Sequence, residues 1–207
     1  MRNNFSHLLA VCTLGLLVVI LCGCASSPPS KFYQLSATGD RTPERHSPNQ
    51  DAMVVVIGPL RIPDYLDRPQ IVTRSGKNEL HLSEFDRWAG SLDSDIMRVL
   101  VENVSAQLPP DRFFVIRWTP LLQTQLSAAY KVELIIERFD GTSDGLVSLR
   151  AHWGIFSPEK GVLLRKESRI IEEVKGKGSD AIVDSMSRAI GRLSREIADA
   201  IASNAAI

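Results

Sequence analysis

No cysteine follows Cys24 in this 207-residue chain, so residues 25–207 must fold by burial and hydrogen bonding, without an internal disulfide. The three cysteines are Cys12, Cys22 and Cys24, and all lie in or just after an apolar leader. Arg2 supplies a short positive start. Residues 8–21 are apolar except for Cys12, Thr13 and Gly15, and the run ends in Leu21-Cys22-Gly23-Cys24. A small residue after an apolar stretch of this length is the mark of a secretory signal. A cysteine directly after the cut makes it the lipobox kind. Cleavage after Gly23 and lipidation of Cys24 are therefore expected. The competing reading is an uncleaved anchor, but residues 8–21 as a helix span about 21 Å against roughly 30 Å of hydrocarbon.

The expected organisation is a signal peptide over 1–23, a lipidated tether over 24–30 and one folded domain over 31–207. The tether, Ala25-Ser26-Ser27-Pro28-Pro29-Ser30, is small and polar. Fully extended, it reaches about 20 Å, so the folded body is expected beside its membrane. One acyl chain binds marginally, whereas several make release negligible. Ala25 follows the cysteine, and in lipoproteins generally an Asp there signals retention at the inner membrane. Its absence favours the periplasmic face of the outer membrane.

Lys plus Arg equal Asp plus Glu at 24 each, and loss of Arg2 with the leader leaves a formal charge of −1. No basic stripe stands out, so nucleic acid is not an expected partner. With 44% hydrophobic and 23% charged residues, the chain has the composition of a globular domain.

Residues 32–35 read as a first strand and 37–51 as a polar loop. The β-branched run Met53-Val54-Val55-Val56-Ile57 reads as a buried strand closed by Gly58-Pro59. Residues 71–73 and 79–82 flank a turn and predict a hairpin. Leu92, Ile96, Val99, Leu100, Val104 and Leu108 fall on one helical face, with Ser91 as N-cap. Residues 113–116 form a short strand. Alternation over 131–140 and 146–156, then a less regular strand over 161–174, predicts an antiparallel meander with one covered and one wet face. Ile182, Met186, Ile190, Leu193, Ile197 and Ile201 mark a last helix, with Ser179 as its cap. The expected fold is α/β: a single domain whose mixed sheet includes a C-terminal antiparallel meander, covered by two long amphipathic helices.

The chemistry of common enzymes is missing. There is no His-Glu-x-x-His, the Gly-x-Ser-x-Gly string at Gly141-Thr142-Ser143-Asp144-Gly145 falls in the expected turn between two meander strands rather than at a strand-to-helix elbow, and the spacings of His46, His81 and His152 match no metal site. Gly176-Lys177-Gly178-Ser179-Asp180-Ala181 fits the Gly-x-Gly-x-x-Gly/Ala form. A dinucleotide site needs a further strand carrying an acid after its helix, and Asp180 would repel a phosphate at the helix start. That segment reads as a turn. No cofactor and no catalytic residues are expected.

Residues 63–72 read Pro-Asp-Tyr-Leu-Asp-Arg-Pro-Gln-Ile-Val. Arg74 follows, then Leu80-His81-Leu82-Ser83-Glu84-Phe85-Asp86-Arg87-Trp88-Ala89, then Leu92. This pattern, with the lipobox, Phe32-Tyr33-Gln34-Leu35 and the long last helix, resembles the ABC-type transport auxiliary lipoproteins over nearly all of the mature chain. Gly90 departs from it, standing where a bulkier residue is usual. The resemblance implies a non-enzymatic part of a lipid-trafficking system that supports membrane integrity. It further implies an MCE-domain tunnel protein as partner, and assembly as a homo-oligomer. Membrane lipids would be engaged through the acylated Cys24. A lipid-anchored assembly or lipid-binding factor is the alternative, and an anchored periplasmic hydrolase a more distant one. Tyr65, Asp67 and Arg68 read either as a partner-contact loop, since Tyr and Arg are favoured anchors, or as a structural loop. In the structural version Arg68 pairs with Asp64 or Asp67 and Tyr65 caps the core. Trp88 reads as a core plug more readily than as a contact residue.

Overall fold

A computed structural model describes residues 27–39, 52–120 and 128–205. The strands are β1 (Lys31–Tyr33), β2 (Met53–Arg61), β3 (Gln70–Arg74), β4 (Leu80–Trp88), β5 (Phe113–Arg117), β6 (Tyr130–Thr142), β7 (Leu146–Ser157) and β8 (Gly161–Glu173). The helices are α1 (Leu92–Gln107) and α2 (Gly178–Asn204).

All eight strands join one mixed sheet organised by β6. One edge of β6 pairs antiparallel with β7 from Lys131 to Gly141, and β7 pairs antiparallel with β8. The other edge is shared. Its first half pairs parallel with β2, and its last residues, Gly141 and Thr142, pair parallel with β3. The sheet therefore forks into a β2–β5 branch and a β3–β4–β1 branch. The molecule is a single mixed α/β domain with an eight-stranded sheet and two helices.

α2 packs on β6, β7 and β8, α1 packs on β2 and β5, and the helices touch each other. Val99, Leu100 and Val104 of α1 and Ile190, Leu193 and Ile197 of α2 are fully buried. They meet Val132, Leu134, Ile136, Leu149 and Ile155 of the sheet in one core. The opposite face leaves Ile135 about half exposed, with Ile171 and Val162 exposed on β8.

Three boundaries differ from expectation. β1 stops at Tyr33, so Gln34 and Leu35 fall outside the strand. β2 does not close at Gly58-Pro59. It continues to Arg61, with its register to β6 shifting between Ile57 and Leu60, and Gly58 sits at φ +114°, where a side chain is disfavoured. β4 runs on to Trp88 because β1 provides a partner for its last residues.

β6 carries an irregularity that reorients its second half. Ile136 pairs with Ala151 and Arg138 with Arg150, so Glu137 is an extra residue. Before it the even positions Val132, Leu134 and Ile136 are buried under the helices. After it the core positions are odd, Phe139 and Gly141, with a Cβ on Gly141 placed 3.1 Å from Ile182 of α2. One inserted residue exchanges the faces of a strand. Arg138 and Asp140 are thereby turned away from the helix layer.

Candidate functional site

Gly23 and Cys24 lie outside the described residues. The chain becomes regular at β1, which pairs parallel with β4 in the register Lys31↔Asp86, Phe32↔Arg87, Tyr33↔Trp88. The segment after β1 is latched to both helices. Leu35, buried, donates its N–H to Asp95 at 2.6 Å and accepts from Arg98 Nη2 at 2.6 Å. Ser36 N–H donates to Ser187 Oγ at 3.0 Å, and Thr38 and Gly39 N–H donate to Asn103 Oδ1 at 2.9 and 3.3 Å. Thr38 sits so close to Gly191 of α2 that a Cβ there would lie 2.1 Å from its hydroxyl. Whatever pulls on residues 27–30 thus pulls on α1 and α2.

A second fastening joins β4 to the start of α2. Asp86 accepts from Ser179 Oγ at 2.7 Å, from Ser83 Oγ at 3.2 Å and from the Tyr33 hydroxyl at 3.2 Å. The Ser179 bond above all, with those of Ser83 and Tyr33, holds the Asp86 carboxyl below its ordinary range against partial desolvation. Ser179 was expected as the cap of the last helix. The N-cap position is Lys177, with no side-chain bond, and Ser179 lies inside the helix, its hydroxyl donating to Asp86. Ser91 does stand at the N-cap position of α1, but its side chain makes no capping bond.

The loop carrying Tyr65, Asp67 and Arg68 joins β2 to β3 and folds over the reoriented end of β6. Asp140, fully buried, receives three side chains. The Tyr65 hydroxyl donates at 3.0 Å, Arg74 donates through Nη2 at 3.0 Å and Nε at 3.3 Å, and Arg138 Nε donates to the other oxygen at 2.8 Å. Arg74 also lies over the Tyr65 ring, 5.8 Å from its centroid. Burial first, then the Asp140 charge, pushes the Tyr65 phenol above its ordinary range. Leu66 is buried, and Asp67 is exposed. Arg68 pairs with neither Asp64 nor Asp67 among the described ion pairs, and its Nε is buried without a hydrogen-bond partner. The loop is therefore fixed through Tyr65 and Leu66 while presenting Asp67.

The loop ends against β4, where Trp88 N–H donates to Pro69 C=O at 2.7 Å. Trp88 is 5% exposed and sits in the core. A Cβ on Gly90 would meet nothing within 4 Å, so the departure there leaves open space. Gln70 pairs with Arg87 and Arg87 with Phe32. Directly opposed residues share a sheet face, so Phe32, Arg87 and Gln70 form a line across three strands, about 10 Å from end to end. Phe32 is 66% exposed. Arg87 Nε is buried with no hydrogen-bond partner. Asp86, Asp140 and Arg87 were not singled out from the sequence. The available signal was a charged residue in the middle of an otherwise strand-like run.

Among the described residues no cluster of three or more His, Cys, Asp or Glu could hold a metal ion. No described helix is long and apolar enough to cross a membrane.

The pattern defining the ABC-type transport auxiliary lipoprotein component matches residues 33–198. That span covers both latches, strands β2 to β8 and most of α2, and the chain belongs to this family. The intermembrane transport lipoprotein PqiC of Escherichia coli (strain K12) is 26% identical over 151 residues, which are 72% of this chain and 75% of that protein. PqiC of Shigella flexneri gives the same figures. A crystal structure of an uncharacterized protein superposes with a TM-score of 0.68 at 20% identity, covering 84% of this chain and 99% of the other. Protein XCC0632 from Xanthomonas campestris superposes at 0.64 and 14% identity, covering 86% and 100%. These two establish that the fold is shared.

Proposed function

We propose that this chain is the outer-membrane lipoprotein subunit of an MCE-type intermembrane lipid transport system, acting as a non-catalytic docking component. The observation that carries the reading is the family match over residues 33–198, joined to the similarity to PqiC, an intermembrane transport lipoprotein. The lipobox at Gly23-Cys24 and the absence of Asp after Cys24 support the address. The latches support the mechanism. A load on the tether passes through Leu35, Ser36 and Thr38 into both helices, so the body is held at the membrane as one rigid piece. Docking needs a rigid platform, because ordering a floppy one at the moment of binding costs affinity.

The contact surface in this reading is the loop of Tyr65, Asp67 and Arg68. Tyr65 is tied to Asp140 and sets the loop's shape. Asp67 and Arg68 meet the MCE-domain partner. The test is capture of that partner by lipidated protein isolated from cells. Asp67→Ala and Arg68→Ala should lower capture severalfold with the melting temperature unchanged. Loss of stability in step with loss of capture would return the loop to a purely structural role. Cys24→Ala should abolish acylation and membrane retention. Turnover on ester, glycan or peptide substrates, abolished by a single Ser or Asp change, would replace this reading with the hydrolase.

A further inference from the structure

β1 and the loop that ends against Trp88 meet on one branch of the sheet. Phe32 is the most exposed of the large apolar side chains there, at 66%. It stands beside Arg87, whose Nε is buried and unpaired. Lys31, exposed, precedes it on the same short strand. Asp86, the neighbouring acid, does not neutralise this group, because its carboxylate faces Ser179, Ser83 and Tyr33. A partly exposed arginine with no described ion pair, beside an aromatic ring lacking cover, is suited to an anionic oxygen bordered by hydrocarbon.

The tether selects which such ligand is within reach. Phe32 follows Cys24 by eight residues, so even a fully extended chain holds it within about 28 Å of the acylated thiol. Pro28-Pro29 stiffens that link. Resting on the anchored reading above, we propose that Phe32 and Arg87 form a membrane-seating contact. The Phe32 ring enters the headgroup boundary, and Arg87 binds the phosphate of an anionic phospholipid in the leaflet that holds Cys24. Apolar burial and attraction to anionic lipid act together at such boundaries, and seating fixes which edge of the sheet faces the bilayer. The Asp67 loop, reaching the same branch through Pro69, is then held at a set height for its partner.

The test uses the full lipidated protein reconstituted into vesicles containing brominated phosphatidylglycerol or brominated phosphatidylcholine. Phe32→Trp adds one indole to a background of Trp88, Trp118 and Trp153, and the difference from the unaltered protein isolates its emission. Ile171→Trp, on the exposed strand β8, is the control. The expected result is strong quenching at position 32, little at 171, and more in phosphatidylglycerol than in phosphatidylcholine. Adding Arg87→Gln should remove that lipid preference, with a loss of about fivefold for one basic residue at a membrane surface. Equal quenching at 32 and 171, or a preference that survives Arg87→Gln, overturns the proposal. Mass analysis of the same samples separates the failures. An unmodified Cys24 thiol sinks the anchored reading and this contact together, whereas an acylated Cys24 with no quenching at 32 sinks the contact alone.

Discussion

Asp140 and Arg87 are charged residues on strands of one sheet, and the fold treats them in opposite ways. Asp140 is shut off from solvent, but Tyr65, Arg74 and Arg138 all donate to it. Arg87 keeps part of its side chain accessible, and its buried Nε has no partner. A buried ion stripped of partners costs several kcal/mol, whereas a satisfied network is neutral or better. The Asp140 corner is therefore complete within the molecule and holds the Tyr65 loop down. The Arg87 line is the one proposed to meet an outside acceptor, through the part of the side chain that stays accessible. The difference separates groups that build the platform from groups that can meet something else.

The hardest blow to that contrast would come at Asp140. Asp140→Asn leaves Arg74 and Arg138 facing a neutral amide and should cost about 2–3 kcal/mol, read as a lower urea midpoint with unchanged slope. A cost near zero would mean the corner is not holding the loop. Next in size is Gly191→Ala. In an open helix this change would stabilise by roughly 1 kcal/mol, but the new Cβ meets Thr38 at 2.1 Å. Overpacking should reverse the sign, to a loss of about 1–2 kcal/mol, with faster proteolysis at residues 35–39.

Ser179→Ala sharpens the comparison through pH and should cost about 1 kcal/mol at neutrality. The folded-state pKa of Asp86 lies below its ordinary value of 3.8, so its contribution to stability is present above that value. It is lost as the pH falls through the depressed folded value. Removing the Ser179 bond raises the folded pKa toward 3.8, so the variant's acid-side loss of stability should be shallower in urea melts at successive pH values below 4. An unchanged slope would show that Ser179 does not set the Asp86 charge. The smallest effect belongs to Arg87→Gln, expected within about 0.5 kcal/mol of the parent in the absence of lipid. A penalty as large as that of Asp140→Asn would erase the distinction.

Much of the local structure could be read from side-chain type. The β-branched run at Met53–Ile57 is buried strand, the apolar stripe from Leu92 is α1, and Trp88 sits in the core. The ends were harder. Gly58-Pro59 looks like a stop, but β6 offers a partner on the far side of the irregularity. Ser91 and Ser179 have the right chemistry for caps. Neither side chain caps: the last helix has its N-cap two residues earlier, at Lys177, leaving Ser179 inside it with its hydroxyl donating to Asp86, and Ser91 stands at the N-cap without a capping bond.

The candidate site was only partly legible. The Tyr65–Arg68 stretch stood out by composition, but the internal ion pair of its structural alternative is not among the described ion pairs, and its fastening is to Asp140, 75 positions away from Tyr65. Strict alternation would have driven Asp140 into the helix layer, with the even-numbered core residues of β6. The extra residue at Glu137 turns it out to meet the loop.

The sequence by itself carried the family pattern and the alternating and helical stretches. Each of these depends on neighbours within a few positions. Tertiary structure alone decided that β6 serves two branches on one edge, that Asp140 is ion-paired while Arg87 Nε has no partner, and that residues 35–39 are latched to both helices. Those outcomes depend on which distant groups are brought within 3 Å of one another, and short-range patterns of polarity carry no record of that.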